Sequence, residues 1–149
     1  MLGSLTYPIL QFGTSRFLLA HADLFVSQAL HNGTALGGIT VVQTTDSSQS
    51  HQRLAALRAQ PAYPVRIRGL QTGQTIDQTV SSSSICAALH SDQDWLQIRT
   101  LASYHVKVII SNTGDTGYAL DASDTPSLLR DAQIAPRSFP AKILALLIV

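Results

Sequence analysis

Residues 8–30 read PILQFGTSRFLLAHADLFVSQAL. The apolar run from Ile9 to Phe12 has the length of a buried strand, and Gly13 begins a short polar turn that ends at Arg16. From Phe17 onward the apolar residues recur at the spacing of one helix face, with a main stripe of Leu18, Ala22, Phe25 and Ala29. The stretch therefore predicts a strand, a tight glycine turn and a long amphipathic helix that packs on a sheet.

The turn contains part of a glycine pattern that is typical of phosphate binding. A helix that follows a parallel strand directly leaves backbone N–H groups unpaired at its start, where a pyrophosphate can bind. The fingerprint G-x-G-x-x-G of dinucleotide-binding domains keeps only its first glycine here, because Ser15 and Leu18 occupy the other two glycine positions. On these residues alone three interpretations stay open: an ordinary strand-turn-helix connection, a nucleotide site, or a site for another ligand.

The composition is that of a globular chain with one core. Of the 149 residues, 45% are hydrophobic and 13% are charged, and the formal net charge is +1. No basic stripe predicts nucleic-acid binding, and no apolar run approaches the ~18 residues of a membrane span. Because the N-terminus also lacks the pattern of a signal peptide, we expect a cytoplasmic protein with no membrane or nucleic-acid partner.

The cysteine and the histidines show no recognisable site in the sequence. Cys86 has no second cysteine to pair with, and we expect it to pack as a small buried residue. The histidines have none of the spacings that are typical of a metal site, so we expect surface or strand-edge histidines and predict no metal. They are His21, His31, His51, His90 and His105.

Strand and helix patterns alternate along the chain, which predicts an α/β fold with a Rossmann-like, mostly parallel sheet flanked by helices. The run from Gly38 to Gln43 is the second buried strand. A carboxylate at the end of this strand usually binds the cofactor ribose in such folds, but this position is Gln43, and Asp46 is three residues further on. The choice between NAD and NADP stays open at this point.

A β-hairpin interrupts this alternation. Residues 65–69 and 74–80 alternate apolar and polar side chains about a turn at Thr72 and Gly73. The sequence therefore predicts a hairpin inserted into the α/β pattern.

A second strand-to-turn junction lies further along the chain. The strand Val106 to Ile110 is followed by Ser111, Asn112, Thr113 and Gly114. Ligands of open parallel sheets bind at the carboxyl ends of the strands, so Asn112 and Thr113 are candidate cofactor contacts, and the alternative is an ordinary Asn/Gly turn. Ser138 then predicts the N-cap of a helix that has Pro140 in its first turn.

Three segments together resemble the N-terminal domain of the mannitol dehydrogenase family, the polyol-specific long-chain dehydrogenases. They are ILQFGTSRFLLAHADLFVSQA (9–29), VIISNTGDTGY (108–118) and SFPAKILALL (138–147), against family patterns of roughly Q-F-G-x-G-x-F-x-R, S-N-T-x-E-x-G and S-[FY]-P-A-K. The family includes mannitol dehydrogenase, fructuronate reductase (mannonate oxidoreductase) and tagaturonate reductase. The matches occur in order and cover nearly the whole chain. Departures are Ser15 at the second glycine, Leu19 near the usual Arg, and Gly114 and Asp115 in place of Thr and Glu.

The resemblance implies an NAD(P)-dependent oxidoreductase that interconverts a keto sugar or keto uronate with its polyol or aldonate. The cofactor is NAD or NADP, with NAD favoured. By position, the pyrophosphate is lined by Phe12, Gly13, Thr14, Ser15, Arg16 and Phe17, with Gln43 near the ribose and Asn112 and Thr113 further along the cofactor. Lys142 of the third segment either anchors the start of its helix or has a role in the site.

The family also has a second, mostly helical domain that carries the catalytic residues, and nothing in these 149 residues resembles it. We therefore expect residues 1–149 to be an incomplete dinucleotide-binding domain, inactive by itself, with no catalytic residue of its own. The apolar C-terminal segment Ala145 to Val149 is expected to be covered in a complete domain. The alternative hypothesis is a non-catalytic Rossmann-like module that self-associates through this helix.

Overall fold

The structure, a computed structural model, describes residues 7–149. Its strands are β1 (Ile9–Phe12), β2 (Ile39–Gln43), β3 (Tyr63–Gln71), β4 (Gln74–Ser82), β5 (Ile85–His90) and β6 (Val108–Ser111). Its helices are α1 (Arg16–Ala20), α2 (Ala22–His31), α3 (Ser48–Ala59), α4 (Trp95–Tyr104), α5 (Pro126–Arg130) and α6 (Phe139–Leu147), with a 3₁₀ turn at Asp115–Tyr118.

Four strands form one parallel sheet in the order β5-β2-β1-β6. All five residues of β2 are buried, as expected for an inner strand of a sheet that helices cover on both faces. One core cluster joins Leu10 and Phe12 to α4 and α6, and a second joins Ile39 and Val41 to α3. The α/β fold class predicted from the sequence is confirmed.

The inserted hairpin is also confirmed. β3 and β4 pair antiparallel as a separate two-stranded sheet, with Gln71 opposite Gln74 at the tip. Thr72 and Gly73 both have positive φ, at 50° and 80°, which is the backbone of a tight hairpin turn. Arg66 donates to both carboxylate oxygens of Asp77 on the exposed side of the hairpin.

The first helix differs from its prediction, because the chain forms two helices where one was expected. The break is at His21, whose backbone angles of φ −120° and ψ −77° are not helical. Leu18 and Leu24 are buried, but Phe25 is 62% exposed. The stripe predicted through Phe25 is therefore wrong, because the break at His21 interrupts the continuous helical spacing on which the prediction was based.

The strand β5 was not predicted, and Cys86 within it is exposed rather than buried. β5 is the last strand on its side of the parallel sheet, so its neighbours cover it less than an inner strand. A Cβ on Gly38 would lie 2.1 Å from Cys86 Sγ, which explains why this position, just before β2, is glycine. Within residues 7–149, no helix combines the length and apolar character that crossing a bilayer requires.

Candidate functional site

The glycine turn lies at the carboxyl edge of the parallel sheet, between β1 and α1. Gly13 has φ +102°, which is a conformation that favours glycine, and its N–H donates to Val42 O at 2.8 Å. Ser15 then caps α1 by accepting from the N–H of Leu18 at 3.2 Å. The predicted tight turn is present, and the start of the helix opens toward the same edge as the ends of the strands.

Gln43 is tied to this turn through its side chain. Thr14 and Gln43 are both nearly fully buried, and the Thr14 hydroxyl donates to Gln43 Oε1. Gln43 Nε2 donates in turn to Thr45 Oγ1 at 2.6 Å. Both ends of the Gln43 amide are thus used within the protein, and its visible role is to join the end of β2 to the glycine turn.

Arg53 places a positive charge beside the turn, and this contact was not predicted from the sequence. It projects from α3 and donates from Nη1 to Thr14 O at 2.9 Å. Arg16, the first residue of α1, is exposed beside the turn. No local pattern predicts the Arg53 contact, because 39 residues separate the two partners.

The two aromatic residues of the first motif differ in what they offer a ligand. Phe12 is 3% exposed and its ring lies edge-to-face against Phe139 at 5.6 Å, so the ring is not available to a ligand. Phe17 is 57% exposed and stacks on His21 with ring centroids 4.7 Å apart.

Asn112 and Thr113 follow β6, the neighbour of β1. Ser111 is opposite Phe12 in the parallel register, so the next residues of both strands, Asn112 and Gly13, leave the sheet side by side. Asn112 is exposed and Thr113 half-buried. The structure therefore brings together the residues predicted from three distant parts of the sequence.

Two clefts open next to the end of β2, with volumes of about 360 and 510 Å³. They share Thr44, Arg137 and Lys142, so two basic residues line both clefts. The smaller cleft continues along the 3₁₀ turn at Asp115–Tyr118 and the larger one reaches Asp46 and Asp92.

Lys142 acts within the protein as an anchor. It is 5% exposed, and its Nζ donates to the carbonyls of Pro136 at 2.5 Å and Arg137 at 3.0 Å, with Asp92 Oδ1 at 3.5 Å. Ser138 caps α6 by accepting from the N–H of Ala141, as predicted. These contacts support the structural interpretation of Lys142.

Asp46, His51 and His90 meet at the same edge, although their spacing in sequence indicated nothing. Asp46 Oδ1 lies 3.0 Å from His90 Nε2 and 3.5 Å from His51 Nε2, and the two rings stack at 5.5 Å. His90 is 2% exposed, so it is not a surface histidine, although it does end the edge strand β5. The sequence does not predict this cluster, because only the pairing of β2 with β5 brings His90 next to the segment after Gln43.

Comparison with known proteins shows similarity in sequence and in structure to known dehydrogenases and oxidoreductases. No family model matches the chain. Altronate oxidoreductase of Halalkalibacterium halodurans is 28% identical over 140 residues, which are 93% of this chain and 26% of that protein. The chain thus spans about a quarter of the length of this relative.

The fold is similar to two solved dehydrogenases. D-sorbitol dehydrogenase in a substrate-free form superposes on 97% of this chain and 31% of its own, with a TM-score of 0.72 and 16% identity. Mannitol 2-dehydrogenase of Pseudomonas fluorescens, in a ternary complex with NAD and D-mannitol, superposes on 99% of this chain and 31% of its own, with a TM-score of 0.70 and 20% identity. Both likenesses support the Rossmann-like fold.

Proposed function

We propose that this chain, a relative of the N-terminal domain of the mannitol dehydrogenase family, binds a nicotinamide dinucleotide at the carboxyl edge of its parallel sheet. The observation that carries the proposal is the position of Gly13. In the order β5-β2-β1-β6 the chain moves outward from β1 through β2 to β5 and then returns to the other side as β6. Open α/β sheets bind ligands at such a switch point, and Gly13 and Asn112 lie on its two sides.

The backbone from Phe12 to Phe17 is the proposed pyrophosphate contact, with Arg16 and Arg53 as nearby positive charges. Gly13 lets the backbone turn sharply before α1. Asn112 and Thr113 are proposed to contact the cofactor further along, beyond the end of β6.

NAD is proposed as the preferred cofactor. Asp46 follows β2, and its side chain is 73% exposed. A carboxylate near this position accepts from ribose hydroxyls and repels the 2′-phosphate of NADP. The complex of mannitol 2-dehydrogenase with NAD is consistent with this preference.

The chemistry proposed for the whole protein is oxidation and reduction between a keto sugar or keto uronate and its polyol or aldonate. The name of the sequence relative, altronate oxidoreductase, supports this class of reaction. Hydride transfer requires a protein to hold the substrate against the nicotinamide and to move a proton. Because the chain matches only 26% of that relative, we propose that these tasks need residues beyond the matched part and that this chain alone binds cofactor without turnover.

The test is a titration of the chain with NADH and with NADPH, followed by nicotinamide fluorescence and by calorimetry. We expect saturable binding that is tighter for NADH. Gly13→Ala places a β-carbon at φ +102°, with a cost of about 1–2 kcal/mol, and is expected to weaken binding about tenfold or more.

Gly33→Ala is the matched control, since Gly33 also has positive φ, at 68°, but follows α2 away from the site. It is expected to lose similar stability and to keep the wild-type affinity. Absence of binding to either cofactor at millimolar concentration, or equal losses in the two variants, would contradict the proposal.

The alternative is a non-catalytic module that self-associates. It is favoured by the exposure of apolar residues near the end of α6, where Leu144 is 46% and Leu147 68% exposed. Sedimentation equilibrium of the chain with and without NADH separates the two: oligomers in a chain that binds no dinucleotide would support the module.

A further inference from the structure

The cluster of Asp46, His51 and His90 contains the side chains that zinc-like cations prefer, and the proposed dinucleotide function makes no use of its histidines. Three elements build it: the loop after β2 carries Asp46, the first turn of α3 carries His51, and β5 ends at His90. One ligand atom from each residue lies within 4.8 Å of the other two. From this geometry we propose that the three residues bind a divalent cation of the Zn²⁺, Co²⁺ and Ni²⁺ class.

The distances between the ligand atoms suit such an ion. Nitrogen and oxygen ligands about 2.0–2.1 Å from a tetrahedral Zn²⁺ are roughly 3.3 Å from one another. Asp46 Oδ1 lies 3.0 Å from His90 Nε2 and 3.5 Å from His51 Nε2. These two distances match the ligand spacing around such an ion, and the two histidine nitrogens, within 4.8 Å of each other, complete the group after side-chain adjustment.

His90 brings a buried nitrogen to the cluster. The side chain is 2% exposed, and its Nε2 lies 3.0 Å from Asp46 Oδ1, the distance of a direct polar contact. A cation bound here would lie between these two atoms and replace the proton on Nε2.

The other two ligands leave the site open to solvent. The side chains of His51 and Asp46 are 43% and 73% exposed. A cation can reach the site without unfolding, and water completes its coordination, as in open zinc sites with three protein ligands.

One contact opposes metal binding, and for this reason we expect only moderate affinity. His90 Nδ1 accepts from the N–H of Asp92 at 3.3 Å, whereas a metal-bound histidine normally carries a proton on its second nitrogen and donates it. This long contact opens when the metal binds. We therefore expect affinity on the order of micromolar, weaker than that of a structural zinc site.

The experiment titrates an untagged, metal-stripped chain, in the absence of dinucleotide, with Zn²⁺ by calorimetry and with Co²⁺ by visible absorption. We expect one saturable site and the absorption bands of low-coordinate Co²⁺. His51→Ala and Asp46→Ala change exposed residues, so the fold is retained, and each is expected to weaken binding roughly tenfold or more. His31→Ala and Asp115→Ala are matched controls at exposed positions outside the cluster, and both should bind like the wild type.

Absence of saturable binding at millimolar Zn²⁺ would overturn the assignment, and so would wild-type affinity in either His51→Ala or Asp46→Ala. Asp46 is also the proposed ribose contact, but because no dinucleotide is present, the titration tests metal binding alone.

Discussion

Asp23 is a carboxylic acid with no exposed surface, on the inner side of α2. Gln11 Nε2 and the Tyr63 hydroxyl donate to its Oδ2 at 3.3 and 3.2 Å, and Oδ1 has no hydrogen bond among residues 7–149. Burial raises the pKa of Asp23 to about 6, against a smaller lowering by the two hydrogen bonds. Between about pH 4 and pH 6 the folded protein therefore keeps a proton on the Asp23 carboxyl, whereas the unfolded chain has already released it.

Replacing Asp23 tests this difference. The pKa rises from 3.8 to about 6 on folding, so the free energy of unfolding falls as the pH rises from about 4 to above 6. The total loss is about 3 kcal/mol, which Asp23→Asn should remove. We expect the variant to be more stable than the wild type at pH 8 in urea unfolding, with little difference at pH 4. A variant with the pH dependence of the wild type, or a similar gain from Asp115→Asn, would refute this account.

Gln43 joins the end of β2 to the glycine turn. Its buried amide accepts from the Thr14 hydroxyl and donates to Thr45 Oγ1. Gln43→Leu keeps a similar volume but leaves the buried Thr14 hydroxyl without its acceptor, and we expect a loss of about 1–3 kcal/mol in unfolding free energy. Gln78→Leu, on the exposed hairpin, is the control that should change stability little. Equal stability of Gln43→Leu and wild type in urea would show that the link contributes nothing.

Among the elements, the hairpin β3–β4 has a turn whose residues do not fully match its backbone. Thr72 has φ 50°, a conformation that a β-branched residue disfavours and asparagine tolerates. Thr72→Asn should therefore stabilise the protein by about 0.5–1 kcal/mol, as a small rise in Tm measured by calorimetry. Thr79→Asn, in the middle of β4, should give no rise. A lower Tm in Thr72→Asn would contradict this account of the turn.

The start of α6 depends on a carboxylate from the loop before α5. Asp124 accepts from the backbone N–H of Arg137 at 2.6 Å and of Ser138 at 2.9 Å, and from the Ser138 hydroxyl at 2.5 Å. Burial alone raises its pKa, but the hydrogen bonds from Ser138 and Arg137 outweigh it, so the pKa of Asp124 is lowered. The carboxylate therefore stabilises the fold above about pH 4, and this stabilisation is lost as the pH falls through the lowered pKa.

Asp124→Ala should cost about 1–3 kcal/mol at pH 7, because three donors lose their acceptor. Thermal unfolding measures the loss, and Asp115→Ala, an exposed carboxylate of the 3₁₀ turn, is the control. A loss that stays the same at pH 3 would argue against the charged form as the cause.

At the scale of the whole molecule, cofactor binding should appear as added stability. A ligand that binds only the folded state at about 100 times its Kd stabilises the protein by about 2.7 kcal/mol. We therefore expect NADH to raise the Tm of the wild type in a concentration-dependent way, and the rise to be smaller in Arg53→Gln, which lacks the cation that contacts Thr14 O. Arg66→Gln, on the hairpin, should keep the full rise. Equal shifts in both variants would exclude a role for Arg53.

The sequence by itself determined the features that depend on neighbouring residues. These are the strand and glycine turn at Gly13, the hairpin about Gly73, the cap at Ser138 and the α/β class, because periodicity, turn residues and caps act over a few positions. Resemblance to a family then predicted which turns meet at one edge, and Asn112 does leave the sheet beside Gly13.

Only the tertiary structure decided the contacts between distant segments. Several features depend on how the strands pair and the helices pack. They are the break at His21, the exposure of Cys86 on β5, the hydrogen bond of Arg53 to Thr14 and the meeting of Asp46 with His90. Parallel pairing joins residues that are tens of positions apart, and no local pattern encodes such a partner. The backbone of the candidate site and its neighbour Arg16 were therefore predictable from the sequence, whereas the contact of Arg53 with the turn and the meeting of Asp46 with His90 were not.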